Sequence, residues 1–157
     1  MKVGLYDFAD NDEKLSFLSS IRRSLDDAGF KKTLLVSALY ADIYSIDKLL
    51  TFPSQLPAIG VAGCLIDTYK KDGRDVLHYM NVEVIKAFAY ACRQNGIFSA
   101  IAGGLSVKSS KKLADSVVDV IGFRSAVALN GRDGIGIDKT KLTAVLNIAH
   151  KKTKKIS

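Results

Sequence analysis

Short apolar runs and helical stripes alternate along the chain. Lys2 to Tyr6 (KVGLY) reads as a buried strand. Between residues 12 and 28, Leu15, Leu18, Ile21 and Leu25 recur at helical spacing, and Gly29 marks the stop. Leu34 to Leu39 is an apolar strand, Ile46 to Leu50 a short helical turn, and Pro53 opens another short helix reaching about Gly60. Ala62 to Asp67 is a strand that ends on an acid, and residues 69–79 read as polar loop. Asn81 is placed to cap a helix carrying Val84, Ile85, Phe88, Ala89 and Cys92, which Gly96 closes. Ile97 to Ala102 is a strand running into Gly103-Gly104, followed by a helix at 106–116 with Lys108, Lys111 and Lys112 on its wet side. Val118 to Phe123 is a fifth strand, 124–137 a glycine-rich loop, and Asp138 caps a last helix with Leu142, Val145, Leu146 and Ala149.

These strands are continuous apolar runs, which predicts strands covered on both faces in a parallel α/β sheet. Five units in 157 residues is about 31 residues each, the unit size of a (β/α)8 barrel of about 250 residues. An open doubly wound sheet of five strands is the rival reading. The arithmetic does not choose between them, but a closed eight-stranded barrel does not fit within this chain.

Composition narrows the class. The chain is 48% hydrophobic and 25% charged with two prolines, which excludes a disordered polymer. Two cysteines, Cys64 and Cys92, cannot make a disulfide scaffold or a four-ligand zinc site. No apolar stretch reaches the ~18 residues of a membrane span, so a cytoplasmic protein with no membrane partner is expected. The net charge is +7, but Lys151, Lys152, Lys154 and Lys155 supply four of those charges. Residues 151–157 are therefore read as a basic tail on a domain of residues 1–150. With no aromatic-interleaved basic stripe, nucleic acid is not the expected partner.

In parallel α/β folds chemistry stands at the C-terminal ends of strands. Those ends carry Tyr6 and Asp7; Tyr40, Ala41 and Asp42; Asp67, Thr68, Lys70 and Lys71; Gly103 and Gly104; and Arg124 and Ser125. Lys2 lies inside the first strand, where an amine needs a carboxylate partner or a lowered pKa, a state suited to imine or proton chemistry. It could equally be solvated beside the initiator Met. Asp67 and Lys71 form an acid–lysine pair able to move protons, or a loop ion pair worth at most about 1 kcal/mol. Gly103 and Gly104 can bring backbone N–H groups to an anion, and Arg124 offers a planar fork for phosphate. Strand–helix turns also use glycine for its backbone freedom alone. The segment Gly131 to Gly136 is not a dinucleotide fingerprint. His78 and His150 have no partners at metal spacing, so no metal site is expected.

Six segments occur together in order: KVGLY at 2–6, SALYADIY at 37–44, AGCLIDTYKKDG at 63–73, AIAGGL at 100–105, DVIGFRSAV at 119–127 and NGRDGIGID at 130–138. They resemble the (5-formylfuran-3-yl)methyl phosphate synthase family, also called 4-(hydroxymethyl)-2-furancarboxaldehyde-phosphate synthase. The resemblance implies a (β/α)8 TIM barrel and an aldolase-like lyase. Two trioses derived from glyceraldehyde 3-phosphate condense through a lysine imine (a Schiff base) to a furan aldehyde phosphate for methanofuran, with no cofactor. Lys2 matches an active-site lysine, Asp67 the aspartate of an LDT segment, and Lys71 the lysine four residues on. Gly103, Gly104 and Arg124 fall where substrate phosphate is held.

The family's imine-forming lysine lies on an early strand, whereas this chain begins at what matches the fourth. The expectation is a partial barrel of about five βα units lacking the N-terminal three, with little or no turnover alone. Its two open parallel edges predict aggregation or pairing, either as a homo-oligomer or with a complementing N-terminal half. The alternative function is a non-catalytic phosphate-ligand-binding or partner subunit of a split barrel.

Overall fold

Capping side chains fix where the main helices begin. In the computed structural model, which describes residues 1–114, 116–131 and 134–153 with side chains to residue 148, Asp10 accepts a hydrogen bond from the Glu13 N–H and opens helix α1 (Asn11–Asp27). Asn81 does the same through the Val84 N–H for α4 (Val82–Gln94), and Ser106 through the Ser109 N–H for α5 (Val107–Leu113). Asp138 accepts from the Thr140 and Lys141 N–H groups at the start of α6 (Lys139–Thr153). Each cap satisfies donors that the first turn of a helix leaves unpaired. The Ile46–Thr51 turn is helix α2, and the Pro53–Gly60 region is two 3-10 turns, Phe52–Gln55 and Pro57–Ile59, ended by Gly60 at φ +72°. The polar segment 69–79 closes with one extra helical turn, α3 (Val76–Tyr79), capped by Asp75.

Five strands, β1 (Lys2–Gly4), β2 (Val36–Tyr40), β3 (Gly63–Asp67), β4 (Phe98–Ile101) and β5 (Val120–Ile121), form one parallel sheet in the order β1-β2-β3-β4-β5. The order never reverses, and a doubly wound sheet requires a reversal; that rival is set aside. β5 is much shorter than the apolar run at 118–123. Just before it, the Asp119 carboxylate accepts from the Ser99 N–H at 2.8 Å and the Ser99 hydroxyl at 2.7 Å. A side chain thus does there what a ladder would do.

The two sheet faces are unlike. Leu35, Leu39, Cys64, Ile66 and Ile101 join Leu18, Leu49, Val76, Ile85, Phe88 and Cys92 of the helices in one buried core. On the other face Ala38, Leu65 and Ala100 pack only with Val36, Phe98 and Ala102. The expected double cover is therefore present on one face, and the other is the floor of a hollow. Glycines make room for large rings on that floor. A Cβ on Gly63 would lie 2.4 Å from the Phe98 ring, and one on Gly4 2.4 Å from the Tyr40 hydroxyl. No described helix is long and apolar enough to cross a membrane. Helix α6 runs to Thr153, and the rest of the basic tail, with Lys154 and Lys155, lies outside the described residues.

The core also holds an ion. Lys14 of α1 is only 2% exposed. Its ammonium donates to the Asp10 carbonyl at 3.0 Å and lies 4.8 Å from the Tyr44 ring centre. Burial lowers its pKa from 10.5, helped by the charge of Lys48. A lowered lysine pKa means the unfolded chain holds the extra proton between the two values, so stability from this group rises with pH there. As the pH rises toward 10.5 the wild type is expected to gain stability relative to Lys14→Met in paired urea titrations. A constant difference between the two proteins would contradict it.

Gly103 (φ +101°) and Gly73 (φ +88°) both occupy the left-handed region, but only Gly103 is crowded. A Cβ there would lie 2.8 Å from the Thr68 nitrogen, whereas nothing lies within 4 Å of Gly73. Gly73→Ala is expected to cost about 1 kcal/mol for backbone strain alone. Gly103→Ala is expected to cost about 3 kcal/mol or more, because strain and overlap add. Chemical denaturation of both variants reads the difference; equal costs would mean that Thr68 moves aside.

Candidate functional site

The floor of the hollow rises toward the C-terminal ends of the strands. Ladder pairing puts Lys2 beside Val36, Gly4 beside Ala38, Ala38 beside Leu65, and Tyr40 beside Asp67. Between Lys2 and the strand ends the floor is therefore small, and the lysine stem reaches across it. The Lys2 Nζ lies 3.6 Å from Asp67 Oδ2. The other carboxylate oxygen faces Lys71, whose Nζ is 3.4 Å from Asp67 Oδ1. Lys71 also donates to the Thr68 carbonyl and, at 3.4 Å, to the Thr68 hydroxyl. The Thr68 N–H donates to Asp67 Oδ1 at 2.8 Å.

The Asp67 side chain is 16% exposed, Lys71 36% and Lys2 55%. A largely buried carboxylate must be compensated, and here two ammonium groups and one N–H compensate it. The lysines keep access to solvent. Such an arrangement can accept, hold and return protons between two amines.

The same hollow, of about 600 Å³, is lined by Gly103, Gly104 and Arg124 as well as Lys2, Asp67 and Lys71. All six candidate residues thus meet around one space, with Val36, Leu65, Phe98, Ala100, Ala102 and Val120 as its apolar floor. Among the described residues the N–H groups of Gly103 and Gly104 donate to nothing, and Arg124 forms no ion pair. The Gly103 carbonyl is tied down, accepting from the Val76 N–H at 2.9 Å. Two unspent N–H groups and an unspent guanidinium at one rim can bind an oxyanion.

Beside the pair, three tyrosines gather. The Tyr6 and Tyr69 rings stack with centroids 3.8 Å apart and planes 6° apart, and Tyr40 meets both edge-on. Burial, and then the Asp67 charge, push the Tyr40 phenol pKa upward. Tyr6 and Tyr40 stand at strand ends and were legible as such. Tyr69 lies in the polar loop, where only its aromatic character marked it. Asp42 was legible as a strand-end acid, but not its partners: the N–H groups of Tyr69 and Lys70, each donating to it at 2.7 Å.

The family model of 4-HFC-P synthase matches residues 1–146. The (5-formylfuran-3-yl)methyl phosphate synthase of Methanobrevibacter smithii is 30% identical over 152 residues, which are 94% of this chain and 62% of that protein. That of Archaeoglobus fulgidus is 30% identical over 137 residues, 86% of this chain and 58% of that one. That of Methanosarcina barkeri is 33% identical over 129 residues, 81% and 55%. The chain thus spans about 60% of the length of these relatives. In three dimensions it is similar to phosphoribosyl anthranilate isomerase from Thermus thermophilus, with a TM-score of 0.58 at 12% identity, over 96% of this chain and 60% of that one. That likeness concerns the fold alone. The match over residues 1–146 and these relatives establish the family: this chain belongs to the 4-HFC-P synthases.

Proposed function

We propose that this chain carries the second lysine, the acid–lysine pair and the phosphate site of a triose-phosphate-condensing lyase of the (5-formylfuran-3-yl)methyl phosphate synthase type. The observation that carries the reading is the meeting of Lys2, Asp67, Lys71, Gly103, Gly104 and Arg124 around one hollow. The substrate is a triose phosphate, glyceraldehyde 3-phosphate. Its phosphate rests on the Gly103 and Gly104 N–H groups and the Arg124 fork. Its carbonyl end faces the lysines. Condensation through a lysine imine needs protons delivered to the departing water and removed from carbon. Asp67, between two ammonium groups, is the shuttle, with Lys2 and Lys71 as its partners. Two such trioses join, with loss of one phosphate and of water, to a furan aldehyde phosphate for methanofuran synthesis, and no cofactor is required.

The sheet is read as five consecutive units of an eight-unit barrel. Its sequential strand order and single covered face support this. So does the unmatched share of the relatives, more than a third of their length, which is what three units of eight would take. The imine-forming lysine belongs to those three units. Residues 1–157 alone are therefore expected to turn over little or no substrate, and to pair with a complementing N-terminal half or with a second copy.

The test is furan absorbance after mixing the protein with glyceraldehyde 3-phosphate, with and without a polypeptide covering the unmatched N-terminal part of the Methanobrevibacter smithii relative. Product only in the complemented mixture is expected. Full turnover by residues 1–157 alone would show that the imine lysine is within this chain, and phosphate binding without turnover in either mixture would leave only a ligand-binding role. Arg124→Ala should weaken binding of inorganic phosphate by about tenfold to a hundredfold, the loss of one charge-assisted contact. Calorimetry reads this, and an unchanged affinity would remove Arg124 from the site.

A further inference from the structure

The loop that carries Lys71 has little packing of its own. Residues 69–74 are all exposed, and Gly73 adds backbone freedom at φ +88°. Yet Lys71 returns to within 3.4 Å of the carboxylate from which the loop departs. Lys71 itself bonds back to Thr68, and Arg74 to Asp72, but these contacts leave the peptides of Tyr69 and Lys70 to be held from outside the loop.

That hold comes from the loop after β2. The Ala41 N–H donates to the Asp67 carbonyl at 2.9 Å, extending the β2–β3 ladder by one step. The Ile43 and Tyr44 N–H groups then both donate to the Tyr40 carbonyl, turning the chain sharply. The turn presents the Asp42 carboxylate to the neighbouring loop. One oxygen takes the Tyr69 N–H and the other the Lys70 N–H, each at 2.7 Å. Two successive N–H groups held by one planar carboxylate fix the direction in which the next residue leaves, and that residue is Lys71. On the far side of the clamp the Tyr69 ring is stacked on Tyr6 and braced edge-on by Tyr40.

We infer that Asp42 is a positioning residue, which aims Lys71 at Asp67 by clamping the Tyr69 and Lys70 amides. It touches no substrate and acts through the loop. This inference rests on the reading of Lys71 as a site residue, but its test needs neither substrate nor turnover.

The experiment is trace acetylation of the full chain, with the rate at each lysine read by mass spectrometry. The loop variant is Asp42→Asn, which keeps the shape but only one of the two acceptor oxygens. Acetylation of Lys71 is expected to speed up by about fivefold or more, the effect of losing one such bond. Lys86, with its separate partner Glu83, should stay within about twofold. An unchanged Lys71 rate in a folded Asp42→Asn protein would overturn the inference. Amide exchange of the wild type gives a second reading should the variant not fold. The Tyr69 and Lys70 amides should exchange at least tenfold more slowly than those of Lys71 and Gly73, and equal rates would overturn it. If Lys71 is freed as expected while the Asp42→Asn protein still forms furan at the wild-type rate in the complemented assay, the clamp stands and the catalytic reading of Lys71 falls.

Discussion

A carboxylate at the end of a buried strand organises this molecule's chemical edge. Asp67 follows four buried residues of β3 and cannot reach bulk water freely. An ionised group in that position is tolerated only with opposite charge and donors around it. Lys2 comes to it across the sheet floor, Lys71 from the loop above, and the Thr68 N–H from the next peptide. The three demands are met from three different directions, and each draws a chain segment to the same rim. The loop after β3, the length of the floor beneath Lys2 and the clamp at Asp42 all follow from that requirement.

The sheet floor makes the convergence possible. Gly4, Ala38, Ala100 and Ala102 keep it low, and the two large rings over it, Tyr40 and Phe98, lie where a neighbouring strand has glycine. A bulky side chain in place of Gly4 or Ala38 would stand between the Lys2 stem and Asp67. The same smallness leaves the face hollow, so the site is roomy enough for a phosphorylated three-carbon compound. Among the described residues helices cover only the opposite face, and that division gives the fold a dry side and an open side.

Local rules made much of this legible. Asn81 and Asp138 cap the helices the pattern assigned to them, because capping depends on residues two or three apart, and Ser106, read as the first residue of its helix, is the cap of a shorter one. The candidate residues other than Lys2, which stood out as a charge inside a strand, were found because parallel strands put their C-terminal ends on one edge. What escaped the sequence was long-range or one position off a stripe. The amides bound by Asp42 are 27 and 28 residues away. Lys14 precedes the stripe read at Leu15, yet with Leu18, Ile21 and Leu25 it shares the inward face of α1 at spacings of four, three and four. It is buried although the apolar pattern does not mark it. β5 looked longer than it is because the pattern of an apolar run does not show that Asp119 will bond to Ser99 in place of a ladder.

One carboxylate couples two lysines that are 69 positions apart in the sequence. The direct measurement is NMR of the protein with its lysines carrying carbon-13 methyl groups, compared between wild type and Asp67→Asn. Coupling through Asp67 predicts that the Lys2 and Lys71 signals both move while those of other lysines, such as Lys86, stay in place. Movement of Lys71 alone, with Lys2 unchanged, would contradict it.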